Sequence, residues 1–198
     1  MRRLLADVRG SSAAEFAIVL PLLLLLIFGV IDAGRFMWVS NQAEKATQVG
    51  ARFAAVTDMA VGGLANHSFS INDGIPQGNA VPTANFSQVT CTSSDCANCT
   101  GSVCGLLSLD AVAFNRIVAR MAQIDPSITA QNVQITYRNV GLGFAGDPNG
   151  SDVSPLITVS LRSLQFQPIT TLLFGASFNM PDFRASVTGE DLAGNVSN

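Results

Sequence analysis

The sequence has very few of the residues on which most enzymes and metal sites depend. His67 is the only histidine, and it lies in an irregular polar stretch. A histidine-based zinc site or a Ser-His-Asp triad would have to be built on this one residue. Because no cluster of acids, bases or metal ligands stands out, we predict no enzymatic activity, no metal and no cofactor.

The chain also lacks a basic stripe and a signal-peptidase cleavage site. It has 11 basic and 14 acidic residues and a net charge of -3, so we predict no nucleic-acid partner. No Ala-x-Ala pattern follows the apolar run near the N-terminus, and the helical pattern continues through the nearest candidate, Ile31 to Ala33. A retained membrane segment is therefore favoured over a removed signal peptide.

Two glycine-rich or acidic patterns are set aside for physical reasons. Residues 141–146 fit G-x-G-x-x-G, but turn-forming residues follow where a dinucleotide-binding fold needs a helix. Asp147, Asn149 and Asp152 fit a calcium loop only in part, because no glutamate follows at the required spacing. Both patterns are interpreted as loops.

A long apolar run is the main feature of the N-terminal region. Residues 16–31 carry no charge, and with the small residues on both sides they approach the roughly 20 residues that a helix needs to cross a bilayer. The charges are basic before the run and nearly balanced after it. They are Arg2, Arg3, Asp7 and Arg9 before it, and Asp32 and Arg35 after it. The positive-inside rule predicts a cytoplasmic N-terminus and a C-terminal part on the other side.

One carboxylate, Glu15, lies at the edge of this run, where a charge is costly and usually marks function. If the chain were cut after Gly10, Ser11 would carry a new amino group, and Glu15 would be the fifth residue, one helical turn away. The amine and the carboxylate could then pair within one chain or between neighbours in a helical assembly. A second interpretation is that Glu15 only complements the positive end of the helix dipole.

These residues resemble a known family. Gly10, followed by Ser11 to Ala14, Glu15 and Phe16, resembles the processing site of type IV prepilins of the Flp class, many of which have tyrosine where this chain has Phe16. In that class a peptidase cuts after the glycine. The first 60 or so residues are similar to TadE-like pseudopilins of tight-adherence (Tad) pilus systems. The segments that carry this similarity are Ala14 to Leu23, Gly34-Arg35 and Val49 to Ala54.

The resemblance implies a minor pseudopilin that acts in assembly or initiation of a Flp/Tad type IV pilus for surface adherence. It implies a single-pass protein of the bacterial inner membrane with a periplasmic C-terminal domain, either retained there or incorporated in an extracellular pilus. The implied partners are a prepilin peptidase, a companion minor pseudopilin, the major Flp pilin, the inner-membrane assembly platform with its ATPase, and membrane lipid. Glu15 and Phe16 would serve peptidase recognition and assembly.

The helix is predicted to continue beyond the membrane to about Ala60, with a kink at Pro21. Small and apolar residues recur at steps of three and four, which suits packing either on other helices or on the chain's own domain. Within the membrane, Gly29 and Ala33 form a small-xxx-small pair. The predicted packing residues are Gly29, Ala33, Phe36, Val39, Ala43, Ala46, Gly50 and Phe53.

All four cysteines lie in a polar stretch from Leu64 to Ser108 that we interpret as a long surface excursion. They are Cys91, Cys96, Cys99 and Cys104. Because the predicted topology places them in an oxidising exterior, two disulfides are favoured over a zinc site. Three connectivities are open, and the nested pairing (91 with 104, 96 with 99) and the sequential pairing are both feasible.

Downstream patterns predict a small α+β domain. Ser108 is expected to cap a helix that runs to about Gln123. Alternating residues predict strands at 133–138 and 157–161, a bulge after Ser163, and a last strand over 178–188, with Pro181 at an edge or an irregular start.

The predicted fold class is therefore α+β: a long N-terminal transmembrane helix that continues outside the membrane, then an antiparallel sheet packed on helix. The predicted division is a prepilin-type leader at 1–10, the extended helix at 11–61, and the domain at 62–198 with a disulfide loop at 91–104. The alternative function is an uncleaved, membrane-anchored extracellular binding module that uses the cysteine-rich loop.

Overall fold

The fold consists of one long N-terminal helix and a small domain built on an antiparallel sheet, which confirms the predicted fold class. The computed structural model describes residues 11–148, 150–172, 175, 177–189 and 192. The predicted leader and its cleavage residue, Gly10, lie outside these residues.

The elements follow one another in chain order. Helix α1 is Ser11–Ala54, followed by β1 (Val61–Gly62), α2 (Phe69–Asn72), β2 (Gln88–Cys91) and β3 (Cys96–Thr100). A 3-10 turn at Ser102–Leu106 leads to β4 (Ser108–Leu109), α3 (Ala111–Ala122), a second 3-10 turn at Ala130–Asn132 and β5 (Val133–Arg138). The chain continues with β6 (Leu156–Leu161), β7 (Gln165–Phe166), α4 (Ile169–Leu172), β8 (Phe178–Asn179) and β9 (Phe183–Thr188).

The central sheet has five strands in the order β3-β2-β5-β6-β9, and every neighbouring pair is antiparallel. Alternation decides which face is buried. On β5, Val133, Ile135 and Tyr137 are buried, whereas Gln134 and Thr136 between them are partly exposed. β6 buries Ile157, Val159 and Leu161 in the same way. The two predicted central strands are therefore confirmed.

The prediction that α1 continues to Ala60 was wrong, because tertiary contacts replace the helical hydrogen bonds after Ala54. The Ala60 N–H donates to the Tyr137 hydroxyl at 2.8 Å, and the Ala60 carbonyl accepts from the Asp110 N–H at 2.9 Å. Tyr137 is fully buried, and burial raises its pKa, so the hydroxyl stays protonated. The segment after α1 thus lies inside the domain as irregular chain.

Two strands within the supposed surface excursion were missed. β2 is the second strand of the sheet, and β3 is its edge. β3 reads Cys-Ala-Asn-Cys-Thr and shows no apolar alternation, so hydrophobic pattern gives no signal for it.

The predicted helix cap at Ser108 was also wrong. Ser108 lies in β4 opposite Gly62. Asp110 caps α3 instead, and its carboxylate accepts hydrogen bonds from the backbone N–H groups of Val112 at 2.9 Å and Ala113 at 3.0 Å. The cap therefore lies two residues further along the chain than the sequence predicts.

The predicted bulge after Ser163 and the single last strand are replaced by an excursion from the sheet. The chain leaves β6 at Leu161, and Ser163 adopts a positive φ of 55°. β7 and β8 pair as a two-stranded ladder, with α4 in the connection between them. The last sheet strand begins only at Phe183, after Pro181.

The chain packs as two compact units. The first, here called the helix–loop unit, comprises the chain up to residue 40 together with residues 165–179. The second, here called the sheet domain, comprises residues 41–164 and the chain from 180 onward. The second half of α1 is therefore part of the sheet domain.

A small-residue face of α1 allows this second half to enter the core. Ala43, Ala46, Gly50 and Ala54 are buried. A Cβ atom on Gly50 would lie 2.7 Å from Cγ and Sδ of Met121 on α3 and 3.5 Å from a methyl group of Val159 on β6. Helices α1 and α3 and strand β6 thus come into close contact at Gly50, where α1 has no side chain.

We expect Gly50→Val to destabilise the sheet domain by about 1–2 kcal/mol. Overpacking a filled core costs typically 1–3 kcal/mol. Valine has a higher helix propensity than glycine, but this gain offsets only a fraction of the packing cost. Urea unfolding of the full chain in detergent, followed by circular dichroism, measures the change. Gly29→Val is the matched control, because a Cβ at Gly29 meets no atom within 4 Å. Equal unfolding midpoints for the two variants would contradict the close approach at Gly50.

Candidate functional site

The first half of α1 presents large apolar side chains to its surroundings. Between Phe16 and Ile31 they are exposed except for Phe28, which is half-buried. The stretch is long and apolar enough to cross a membrane. The most apolar part of the helix has no buried residue, unlike the core helix of a soluble protein. The chain thus fits a single-pass membrane protein.

The residues predicted for processing and membrane packing lie on this exposed half. Ser11 begins α1, and Glu15 and Phe16 are exposed in its second turn. Gly29 and Ala33 are exposed as well. A helix from another chain could therefore approach this face closely, but the roles of these residues remain predictions.

The other predicted packing residues divide between the two units. Ala43, Ala46 and Gly50 are buried in the chain's own sheet domain, and Val39 and Phe53 are half-buried. The ring of Phe36 meets that of Phe166 edge-on, with centroids 5.4 Å apart. In this structure the stripe beyond the membrane segment thus packs on the chain itself.

Asp32, at the end of the apolar run, binds the 165–179 segment. Its Oδ1 accepts a hydrogen bond from the Ile169 N–H at 2.7 Å, and its Oδ2 accepts from the N–H and the hydroxyl of Thr170, both at 2.9 Å. Only 7% of Asp32 is exposed. The carboxylate is thus satisfied by the first residues of α4, whose N–H groups have no partner within the helix.

Arg35 completes this contact. Its guanidinium lies 3.1 Å from Asp32 Oδ1, donates to the Gln167 carbonyl at 3.4 Å, and lies over the Phe166 ring at 5.5 Å from its centroid. Together Asp32, Arg35 and Phe36 hold the 165–179 segment against α1 within the helix–loop unit.

Sequence reasoning used Asp32 only as a charge that balances Arg35 and missed this contact. The available signal was the same one that singled out Glu15, a carboxylate at the edge of an apolar run. Its partners lie more than 130 residues away along the chain, and sequence patterns do not connect such distant segments.

The four cysteines form two disulfides with the sequential pairing, Cys91 with Cys96 and Cys99 with Cys104. Cys91 and Cys96 are directly opposed on β2 and β3. The second bond joins β3 to the 3-10 turn that follows it. The disulfides therefore hold an edge strand whose sequence has little strand character.

Gly101 lets the chain turn between Cys99 and Cys104, within the loop that the second disulfide closes. Its φ is +134°, and an added Cβ would collide with the backbone of Asn85 and Phe86. A residue with a side chain cannot take this position without moving the segment before β2. The cysteine-rich stretch is therefore fitted closely to the rest of the domain.

His67 has a structural partner. Its Nε2 lies 2.6 Å from Asp73 Oδ2, while Asp73 Oδ1 accepts from the Asn85 amide and the Ser102 hydroxyl, both at 3.3 Å. The hydrogen bond with His67 is the main cause that holds the pKa of Asp73 below its ordinary value of 3.8. This cluster joins α2 to the turn beside the second disulfide.

Asp152, one of the three residues that resembled a calcium loop, binds backbone N–H groups. Asp152 is buried and accepts hydrogen bonds from the N–H groups of Phe69 at 2.7 Å and Asp147 at 3.1 Å, and Asn149 lies outside the residues that the structure describes. Across the described ranges, no group of three or more His, Cys, Asp or Glu residues could hold a metal ion.

We expect the Asp73 carboxylate to stabilise the fold in a pH-dependent way through His67. Because the folded-state pKa is lowered, this contribution is fully present above the unfolded value near 3.8 and is lost as pH falls through the lower folded value. His67→Phe should therefore lower the urea midpoint above pH 3.8 and have less effect in stronger acid.

The control is His67→Phe in an Asp73→Asn background. There, the difference in urea midpoint between the proteins with His67 and with phenylalanine at this position should no longer depend on pH. Persistence of the same pH dependence without the Asp73 carboxylate would show that another group is responsible.

Comparisons with known proteins identify the N-terminal segment. No curated protein and no solved structure matches the chain. Residues 10–52 match the family model described as TadE-like protein, which confirms the predicted resemblance. The match begins at Gly10 and ends within the buried half of α1. Residues 10–52 are thus a TadE-like segment.

Proposed function

We propose that this protein is a minor pseudopilin that acts in the assembly or initiation of a Flp/Tad type IV pilus. A prepilin peptidase cuts it after Gly10, so that Ser11 becomes the first residue of the mature chain. The observation that carries the proposal is the TadE-like match, which starts at Gly10 and covers the exposed half of α1.

The division of α1 supports an assembly role. Its second half is fixed in the sheet domain by Ala43, Ala46 and Gly50, whereas its first half exposes apolar side chains. In the membrane these side chains contact lipid. In an assembly they exchange lipid for other helices, and the exposed Gly29 and Ala33 allow close approach.

Glu15 provides the polar part of this exchange. It is exposed one helical turn after Ser11, whose new amino group can pair with a carboxylate of the same chain or of a neighbour. In a low-dielectric setting such a pair is far stronger than in water. The pair would offset part of the loss of lipid contacts.

The proposed topology places the N-terminus in the cytoplasm and the sheet domain in the periplasm. The basic residues before the span favour this orientation, and the two disulfides are consistent with an oxidising compartment. The partners are then the peptidase, a companion minor pseudopilin, the major Flp pilin, and the assembly platform with its ATPase.

We expect the mature protein to begin at Ser11 when the host has its prepilin peptidase and to keep Met1 when the peptidase gene is deleted. N-terminal sequencing of the protein extracted from membranes measures this. Gly10→Ala should block cleavage in the host that has the peptidase, while Gly29→Ala serves as the matched control. Met1 in both hosts would overturn pilin-type maturation and favour the membrane-anchored binding module.

We expect Glu15→Ala to reduce pilus assembly by about tenfold or more, even where the chain is still cleaved. A hydrogen bond to a charged group contributes about 1.5–3 kcal/mol, and 1.4 kcal/mol corresponds to a factor of ten. Sheared pili measured per cell give the readout. Glu44→Ala removes the same charge from the exposed face of the second half of α1 and should assemble normally. Equal assembly by both variants would disprove the role of Glu15.

A further inference from the structure

The contact of Asp32 fixes the depth of the 165–179 segment relative to the membrane span. Glu15 and Asp32 are 17 residues apart in the sequence, which corresponds to about 25 Å along a helix. The hydrocarbon core is about 30 Å thick. With Glu15 at one edge, Asp32 therefore lies at or just inside the other edge.

The backbone at the start of α4 must lie at the same level. The Ile169 and Thr170 N–H groups are 2.7 and 2.9 Å from the Asp32 carboxylate. Whatever depth Asp32 has, α4 shares it to within a few ångströms. Ile169 and Thr170 are thus held at the level where the span leaves the hydrocarbon.

Exposed apolar side chains lie on both segments that this contact joins. We call Met37, Trp38, Ile169 and Phe178 the exit collar; their exposed fractions are 68%, 67%, 38% and 57%. In water such a cluster would be unfavourable. At a membrane interface tryptophan is enriched, because its amphipathic ring lies at the level of the headgroups, and the apolar side chains beside it can contact lipid.

The charges around the exit collar fit the same interpretation. The sequence has no Asp, Glu, Lys or Arg from Ser163 to Pro181, so the segment can enter the headgroup region without burying a charge. Asp32 is neutralised by Arg35 and by the N–H groups of α4. The guanidinium of Arg35 is partly exposed and can reach the headgroups.

We infer that the 165–179 segment is a second membrane contact, which inserts Ile169 and Phe178 into the lipid interface beside the exit of α1. The inference rests on the proposed membrane span and adds a lipid-binding role for a part of the chain more than 130 residues away from it. Asp32 is the positioning residue, because it holds the segment at this depth.

Tryptophan fluorescence in lipid vesicles tests this. Trp38 is the only tryptophan, so Trp38→Phe gives a silent background into which Phe178→Trp places one reporter. The full chain is reconstituted in phosphatidylcholine and phosphatidylglycerol vesicles whose acyl chains carry bromine near the headgroup or near the methyl end. Leu24→Trp in the same background reports on the middle of the span.

We expect the reporter at 178 to lose emission with bromine near the headgroup and much less with acrylamide in the water phase. Addition of Asp32→Ala should reverse this pattern at 178. In a separate protein that keeps Trp38 and carries only Asp32→Ala, Trp38 should remain quenched by the lipid. Ile169→Trp provides an independent reporter if Phe178→Trp does not fold, which the near-UV signal of buried Tyr137 would reveal.

Each contrary result has a distinct meaning. Quenching of residue 178 by acrylamide alone, with residue 24 quenched by lipid, would overturn the second contact and leave the span intact. Lack of lipid quenching at residue 24 would overturn the membrane span itself. Lipid quenching at 178 that survives Asp32→Ala would disprove the positioning role of Asp32.

Discussion

The close approach of α1 to α3 and β6 at Gly50 is the contact on which the sheet domain depends. Only a face of glycine and alanine brings a helix axis this near to a sheet and a second helix, and Ala43, Ala46 and Ala54 continue that face along the buried half. The first half of the same helix belongs to the helix–loop unit. One helix thus has a second half that is packed in the core of the sheet domain and a first half whose apolar side chains are exposed.

Buried polar groups determine where this helix stops and what surrounds it. The Ala60 N–H donates a hydrogen bond to the Tyr137 hydroxyl, and the Ala60 carbonyl accepts one from the Asp110 N–H. Asp110 also caps α3 with its carboxylate, so a single residue ties the end of α1 to the start of the next long helix. A buried backbone group without a partner costs about 1–3 kcal/mol. These contacts therefore favour an irregular chain over the extra helical turn that propensity alone predicts.

The sequence predicts the elements that carry a strong hydrophobic period and misses those that depend on distant partners. The span, β5 and β6 follow from apolar runs and alternation. β3 has no such pattern, and pairing with β2 and two disulfides hold it in place. The course of the chain after Leu161 could not be foreseen either, because it depends on Asp32 and Phe36, which lie far away in the sequence. The disulfide pairing was open for the same reason: register, rather than spacing, sets which cysteines are opposed.

The two carboxylates at the ends of the apolar run have different physical roles. Asp32 is buried, and its oxygens accept hydrogen bonds from Ile169, Thr170 and Arg35 of the same chain. These hydrogen bonds offset the free-energy cost of burying the Asp32 charge within the chain itself. Asp32 can therefore stay in place whether α1 is surrounded by lipid or by protein. Glu15 is exposed at the opposite end, five residues after Gly10, where the TadE-like segment begins. Under the proposed function, α1 moves from lipid into an assembly, and the exposed Glu15 is the carboxylate whose surroundings that step would change more than those of the buried Asp32. A charge whose environment changes on assembly can drive that step, whereas one whose environment is constant can only hold the structure that takes part in it.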